Sequence, residues 1–401
     1  MGTTARIECV DKNELQALLT PTALSLLDEV AESFEPKKLL RHISSLRKRG
    51  YPLDTVSAVT AQMALRSRAI QKFGNFANRM LFSRESLEMA TRLEISSHHA
   101  TRFVSAGVSS ILDAGCGIGG DSLAFAGAGL ELEAVDSNEV IAALAAFNLQ
   151  PFENAMVKHA NVMEIDLSES DALWFDPSRR DGVKRSRNHH HWEPPLSWIL
   201  EQTSDRSSGV KLAPGTDRKI IPADREAQWV SFKGETLQMI LWSGNAARDG
   251  VARSALVLKE TGGTEIVGPN DSPDEPIGPL NDFLHEPDGA VIRARLIGDL
   301  ARVHGATMID SQIAYMTSPS PIKSALVQSF QVVDHCPYST KNIRELVRGA
   351  NLRTLEIKKR GIDLDPAKLR RTLPLDGEGE GTLILTRLDG VKTAILARRA
   401  N

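Results

Sequence analysis

Chemistry gathers first at Asp113-Ala114-Gly115-Cys116-Gly117-Ile118-Gly119-Gly120-Asp121, between two short apolar runs. Gly115 and Gly117 let the backbone take positive φ and approach a ligand closely. A helix opening just after the loop offers unpaired N–H groups. Gly115, Gly117 and Gly120 also satisfy a dinucleotide fingerprint, so the glycines alone do not decide the ligand. Asp113 discriminates. A carboxylate before the first glycine repels a pyrophosphate but suits the cationic amino group of S-adenosylmethionine. Asp136, followed by Ser137, ends the next apolar run, where an acid can accept both hydroxyls of a ribose. Asn161 lies past the third run and can reach an adenine edge, with Val162 beside the ring. The expected cofactor set is therefore Asp113, Gly115, Gly117, Gly119, Asp121, Asp136, Ser137, Asn161 and Val162. The alternative is a glycine turn in some other α/β fold.

The second constellation is Asp176-Pro177-Ser178-Arg179-Arg180. Ligands of open α/β sheets bind at the carboxyl ends of strands, beside the point where strand order reverses. Asp176 is thus expected to face the transferable methyl group and to hold a substrate amine in line with it. Pro177 and Arg179 complete the expected catalytic set, with Arg179 either clamping a phosphate or forming a surface salt bridge. His189, His190 and His191 are adjacent and lack a partner carboxylate spacing, so they read as a polar loop and no metal is expected. Trp174 and Trp192 either stack on a base or pack in the core.

Elements must place these residues. Apolar residues recur at helical spacing in residues 11–105, with Pro21, Pro36 and Pro52 as punctuation. From Ser110 the rhythm becomes strand and helix in alternation, with strands at 110–113, 132–136, 155–158, 171–176 and 209–213. That pattern implies βαβ units and a mostly parallel sheet. Residues 229–232, 237–242 and 254–259 read as antiparallel strands, the first pair turning at Lys233-Gly234. Gly268–Pro279 has linker composition. Beyond it come a helix over Asp288–Val303, strands at 330–334 and 355–358, helices at 342–350 and 365–371, and a hairpin around Asp389-Gly390. The expected division is a helical region at 1–105, a cofactor domain at 106–268, a linker at 269–279 and a small α+β domain at 280–401.

With 401 residues the chain exceeds one ordinary core. It has no apolar run long enough to span a bilayer and no signal-peptide pattern at its start. Three well-separated cysteines argue against a disulfide framework and for the cytoplasm. Net charge is −3, but basic residues cluster at Lys37–Arg49, Arg179–Arg187 and Lys341–Arg371. Solvated helix faces are one explanation, and a polyanionic partner such as RNA is the other. Composition sets neither the oligomeric state nor the target.

The residues so assembled resemble bacterial class I S-adenosylmethionine-dependent methyltransferases with a C-terminal THUMP-like domain. The likeness rests on Met80-Leu81-Phe82-Ser83, Ala90-Thr91-Arg92, Asp113–Asp121, Asp176–Arg180, Val210-Lys211-Leu212-Ala213-Pro214-Gly215, Glu286-Pro287-Asp288 and His335-Cys336-Pro337-Tyr338-Ser339. The core is also distantly similar to trimethylguanosine synthases. The resemblance implies an α/β, Rossmann-like class I methyltransferase sheet, an N-terminal helical region and a small C-terminal α+β domain. It implies Phe82, Thr91 and Arg92 near the pocket, and an RNA base nitrogen as acceptor. A small-molecule methyltransferase and an RNA-binding protein with an inactive core are the competing readings. Uridine C5 methylation would need a cysteine nucleophile, and none lies between Cys116 and Cys336.

Overall fold

The computed structural model describes residues 12–31, 33–177, 180–181, 184–185 and 192–400. The chain divides into two compact units: Met1–Lys211 with Trp242–Ala247, and Leu212–Leu241 with Arg248–Asn401.

The first unit opens with helices α1 (Lys12–Leu18), α2 (Pro21–Ala31), α3 (Leu39–Lys48), α4 (Leu53–Phe73), α5 (Arg84–Met89) and α6 (Leu93–Ser105). The long α4 buries Val56, Val59, Met63, Ala69 and Phe73, and α1, α2 and α3 pack against it. Then come β1 (Ser110–Ala114), α7 (Ser122–Gly127), β2 (Glu131–Asp136), α8 (Glu139–Leu149), β3 (Ala155–His159) and β4 (Ala172–Phe175). A two-residue pair, β5 (Arg180–Asp181) with β6 (Lys184–Arg185), precedes α9 (Leu196–Gln202) and β7 (Ser207–Leu212). The strands β3-β2-β1-β4-β7 lie in that order and every pair is parallel. The order reverses between β1 and β4, the switch point at which α/β sheets bind ligands. All four residues of β4 are buried. Gly209 of β7 is small by necessity, since a Cβ there would come within 2.5 Å of the Trp174 ring and 2.9 Å of Trp242.

The second unit contains β8 (Glu226–Phe232), most of β9 (Glu235–Ser243), β10 (Arg253–Lys259) and β11 (Gly262–Gly268), in the order β9-β8-β10-β11. Lys233 (φ 52°) and Gly234 (φ 81°) make the expected tight turn. Trp242 and Ser243, the end of β9, belong to the first unit. One strand direction differs from expectation: β10 runs parallel to β8 and antiparallel only to β11. Alternating hydrophobicity identifies a strand but carries no information on its direction.

A seven-stranded sheet completes this unit: β12 (Phe283–Pro287), β13 (Thr307–Met308), β14 (Met316–Ser318), β15 (Val327–Pro337), β16 (Leu352–Lys359), β17 (Gly379–Leu388) and β18 (Val391–Arg399). Their order is β13-β14-β12-β15-β18-β17-β16. Helices α10 (Gly289–Ala294), α11 (Ile297–His304), α12 (Thr340–Gly349) and α13 (Pro366–Arg370) accompany it. Side chains of the β17–β18 hairpin alternate between two cores. Leu383, Leu385, Ala394 and Leu396 join Ile343, Val347 and Leu369, whereas Ile384, Ile395 and Ala397 join Leu284, Tyr315 and Phe330. The single helix expected over 288–303 is broken in two, because Arg295 takes the left-handed conformation (φ 60°) and ends α10. Residues 269–279 form no regular element, yet they do not hang free. Asp271 bonds Arg218 and Arg253, the Ser272 N–H donates to the Arg295 carbonyl, and Glu275 bonds Arg302. Among the described residues, no helix is long and apolar enough to cross a membrane.

Candidate active site

The glycine loop is stitched to β2 by the Gly115 and Cys116 N–H groups, which both donate to the Val135 carbonyl at 2.9 and 3.0 Å. Gly115, Gly117 and Gly119 have φ of 84°, 57° and 85°. A Cβ on Gly115 would stand 3.2 Å from the Asp176 carbonyl oxygen, so glycine lets the end of β4 lie directly against the loop. Asp113 is buried. Its Oδ2 accepts from the Ser122 hydroxyl at 2.5 Å, and its Oδ1 has no hydrogen-bond partner among the described residues. Burial, with the charges of Asp121 and Asp176, pushes the Asp113 carboxyl well above the usual range, against the opposing Ser122 hydrogen bond and Lys211 charge. An orphaned acceptor of this kind fits a cationic ligand group. Asp136 ends β2, with Oδ2 accepting the Gly117 N–H at 3.1 Å and Oδ1 the Asn138 N–H at 2.8 Å. Burial raises its carboxyl despite those two bonds.

Asp176 follows β4 and is ion-paired with Lys211 of β7, Nζ to Oδ2 at 2.5 Å. The same ammonium donates to Thr91 Oγ1 at 2.9 Å. Thr91 in turn donates to Asp121 Oδ2 at 2.7 Å, and His99 Nδ1 lies 2.8 Å from Asp121 Oδ1. The His99 ring packs on Trp174, centroids 4.5 Å apart, and Phe103, Phe125 and Trp242 complete the aromatic surround. Burial would raise the Asp121 carboxyl, but His99, Lys211 and Thr91 hold it below the ordinary value.

The segment before α6 is fastened as a strap. Gln62 of α4 pairs with both backbone groups of Phe82, its Nε2 donating to the carbonyl at 2.6 Å and its Oε1 accepting the N–H at 3.0 Å. Arg66 donates to the Met80 carbonyl. Asn148 of α8 accepts the Leu81 N–H and donates to the carbonyls of Leu81 and Ile118. Lys72 donates to the carbonyls of Leu87, Glu88 and Ala90, each at 2.8 Å, and burial lowers its pKa to about 8. The backbone at Thr91 then rests on the glycine loop, since a Cβ on Gly120 would lie 3.3 Å from the Thr91 nitrogen.

The structure thus brings together Asp113, Gly115, Gly117, Gly119, Asp121 and Asp176, with Asp136 bonded to the loop. Asp121, expected as a cofactor ligand, has its Oδ2 bonded by Thr91 and its Oδ1 by His99, which tie the end of the loop to the segment before it. Asn161 is also occupied locally, accepting the Met163 N–H and donating to Glu164, whereas Val162 is buried. Ser137 is exposed and its carbonyl accepts from His159. Pro177 is buried, and Arg179, Ser178 and His189–His191 lie outside the described residues. Trp174 and Trp192 are buried, which makes them core. Sequence reasoning missed Lys211 and His99. One signal was available for Lys211, a lone cation in the otherwise apolar run Gly209-Val210-Lys211-Leu212. Nothing local marks His99.

The basic clusters separate into braces and bare charges. In the first, Lys38 pairs with Glu35 and Arg49 with Glu29, while Lys37, Arg41, Arg47 and Lys48 are exposed without an ion pair among the described residues. In the third, Lys358 pairs with Glu286 at 2.6 Å, Arg360 covers the Tyr315 ring, and Arg344, Lys359 and Arg370 donate to backbone carbonyls. Lys341, Arg348, Arg353, Lys368 and Arg371 stay exposed without an ion pair among the described residues.

A family model described as THUMP domain-like matches residues 327–399, and one described as a domain of unknown function matches residues 11–69. Two strains of Mycobacterium tuberculosis carry an uncharacterized S-adenosylmethionine-dependent methyltransferase that is 30% identical over 344 residues, covering 81% of this chain and 90% of the relative. A crystal structure of a candidate methyltransferase from Porphyromonas gingivalis W83 shares the fold with a TM-score of 0.76 at 20% identity, over 98% of this chain and 99% of that one.

Proposed function

Because this chain belongs to the S-adenosylmethionine-dependent methyltransferases, we propose that it methylates a base nitrogen of tRNA or rRNA, with Asp176 aligning the acceptor. The observation that carries this is the approach of Asp176 to the glycine loop, so close that a Cβ at position 115 would stand 3.2 Å from the Asp176 carbonyl oxygen. An acid on the cofactor loop's edge at the sheet's switch point stands where an acceptor must meet a methyl group.

When bound, S-adenosylmethionine supplies an activated methyl group on a good leaving group. The residues of the chain bind and orient. Asp113 Oδ1 would hold the cofactor's amino group, Asp136 its ribose and Val162 its adenine. Asp176 Oδ1, which has no hydrogen-bond partner among the described residues, accepts an acceptor N–H and takes its proton as the nitrogen is alkylated. Pro177 follows Asp176 directly and is buried, and to Arg179 we assign the holding of a phosphate. Cys116 is no C5 nucleophile in this reading. Burial and the charges of Asp113 and Asp136 push its thiol well above the ordinary value, so it stays protonated.

RNA is supported by the bare cations of α3 and of the THUMP domain-like region, which suit a polyphosphate backbone. Nucleosides from a deletion strain, digested and compared with wild type by mass spectrometry, should lack one N-methylated base. An unchanged nucleoside profile, with salt-insensitive or absent RNA binding in gel shifts, would shift the reading to a small-molecule acceptor.

A further inference from the structure

We propose that Lys211 is a positioning residue for methyl transfer: it locks Asp176 to the cofactor loop so that one carboxylate oxygen faces the acceptor. The proposal rests on the assignment of Asp176 as the acceptor-side acid.

Lys211 has a 14% exposed side chain, and an ammonium so enclosed needs a counter-charge. Two carboxylates supply it, Asp176 at 2.5 Å and Asp121 at 3.9 Å. Burial alone would lower the Lys211 pKa, but those two charges raise it above the ordinary value, and the cation persists. The bonding has only one direction. Lysine can only donate. The Thr91 hydroxyl spends its single hydrogen on Asp121 and must therefore accept from Lys211. Asp121, its carboxyl held low, accepts its second bond from the His99 Nδ1–H.

The chain of contacts also closes on itself. His99 packs on Trp174, which lies in β4 just before Asp176. From β4 the path runs through His99 to Asp121 on the cofactor loop, to Thr91 on the strap, to Lys211 on β7, and back to Asp176. A carboxylate held at Oδ2 from a ring of rigid elements cannot rotate about its last bond without breaking the ion pair. Oδ1 is then the oxygen left for an N–H. Orientation of this kind acts on the reacting geometry and leaves cofactor binding alone.

Two measurements on the full-length protein test it. The first needs no substrate. With 13Cε-labelled lysine, the Lys211 resonance is assigned by its loss in Lys211→Arg. Its titration midpoint should fall by about one unit or more in Asp176→Asn, whose folding is checked by S-adenosylhomocysteine calorimetry. An unmoved midpoint overturns the proposal. The second uses radiolabelled S-adenosylmethionine and total RNA from the deletion strain. Lys211→Met should lower kcat about 100-fold, with KM and S-adenosylhomocysteine affinity within about threefold, and Lys211→Arg should restore part of the rate. Wild-type kcat in Lys211→Met also overturns the proposal. If Lys211→Met fails to fold, Thr91→Val should lower kcat about tenfold by removing one tether. If wild type methylates no RNA, the base-nitrogen reading falls, and the titration alone decides whether Lys211 holds Asp176.

Discussion

A single carboxylate oxygen sets the expected pH behaviour of cofactor binding. Asp113 Oδ1 is buried without a partner among the described residues, and burial first, then Asp121 and Asp176, raises the carboxyl's pKa. An acid whose folded-state pKa exceeds its unfolded value near 3.9 binds more protons when folded. Its contribution to stability is therefore lost as pH rises from about 4 through the folded value. A cationic amino group set against Oδ1 reverses the preference, so binding should release a proton and tighten with rising pH up to the free-state value. Calorimetry in two buffers of different ionisation heat, repeated at a series of pH values, reads that proton directly, and no difference between buffers at any of them would remove Asp113 as the amino-group ligand. Asp113→Ala should cost about 1.5–3 kcal/mol of cofactor binding, roughly 10- to 150-fold in Kd. Gly115→Ala is a second residue-scale case. With φ at 84° and a new Cβ 3.2 Å from the Asp176 carbonyl, it should lose about 1–2 kcal/mol of stability and weaken S-adenosylhomocysteine binding in the same titration.

At the scale of elements, the strap at 80–91 is held almost wholly by side chains reaching backbone. Gln62→Leu would leave both Phe82 backbone groups buried and unpaired. At about 1–3 kcal/mol for each of the two groups, a loss of about 2–6 kcal/mol in urea unfolding is expected. A loss under 1 kcal/mol would mean that the strap is not needed for folding. This device was invisible to sequence reasoning because Gln62 and Phe82 are joined only by the fold. The strands and helices around it were legible, since periods of 2 and 3.6 are local. So was the glycine loop, whose chemistry is contiguous. The break at Arg295 was not, because a non-glycine residue takes the left-handed region only where packing demands it. There, the Arg295 carbonyl accepts the Ser272 N–H, and a Cβ on Gly298 would come within 1.9 Å of the Pro273 oxygen. The direction of β10 escaped for a related reason: it depends on which neighbour the strand finds. Asp176 was legible as an acid at a strand end, but its lysine partner was not, because the pair is formed only when β4 and β7 come to lie side by side.

At the scale of the molecule, charge distribution outweighs the net charge of −3. Replacing Lys341, Arg348, Arg353, Lys368 and Arg371 by glutamine removes the bare cations of the third cluster and spares those that brace the fold. For every RNA phosphate deprived of its cation, the salt dependence of binding should fall by roughly 0.7–0.9 in log–log slope, with cofactor affinity unchanged. An unaltered slope would exclude this surface from RNA binding. Point substitutions suit the question better than truncation at 280, which would cut through the second unit.

The path of the chain through the two units has a consequence for how the protein is made. The first unit gives up the chain after Lys211 and recovers it only for Trp242–Ala247. That short return delivers Trp242, which is fully buried against Trp174 and Phe103, and Gly244, where a Cβ would come within 2.6 Å of the Arg206 and Ser207 backbone. During synthesis the first unit therefore cannot close its aromatic core when Lys211 leaves the ribosome. It must wait, at about 5–20 residues per second, while the whole intervening piece of its neighbour emerges. For those few seconds the nascent chain exposes the side of Trp174 that Trp242 later covers, a surface open to a chaperone and absent from the finished protein.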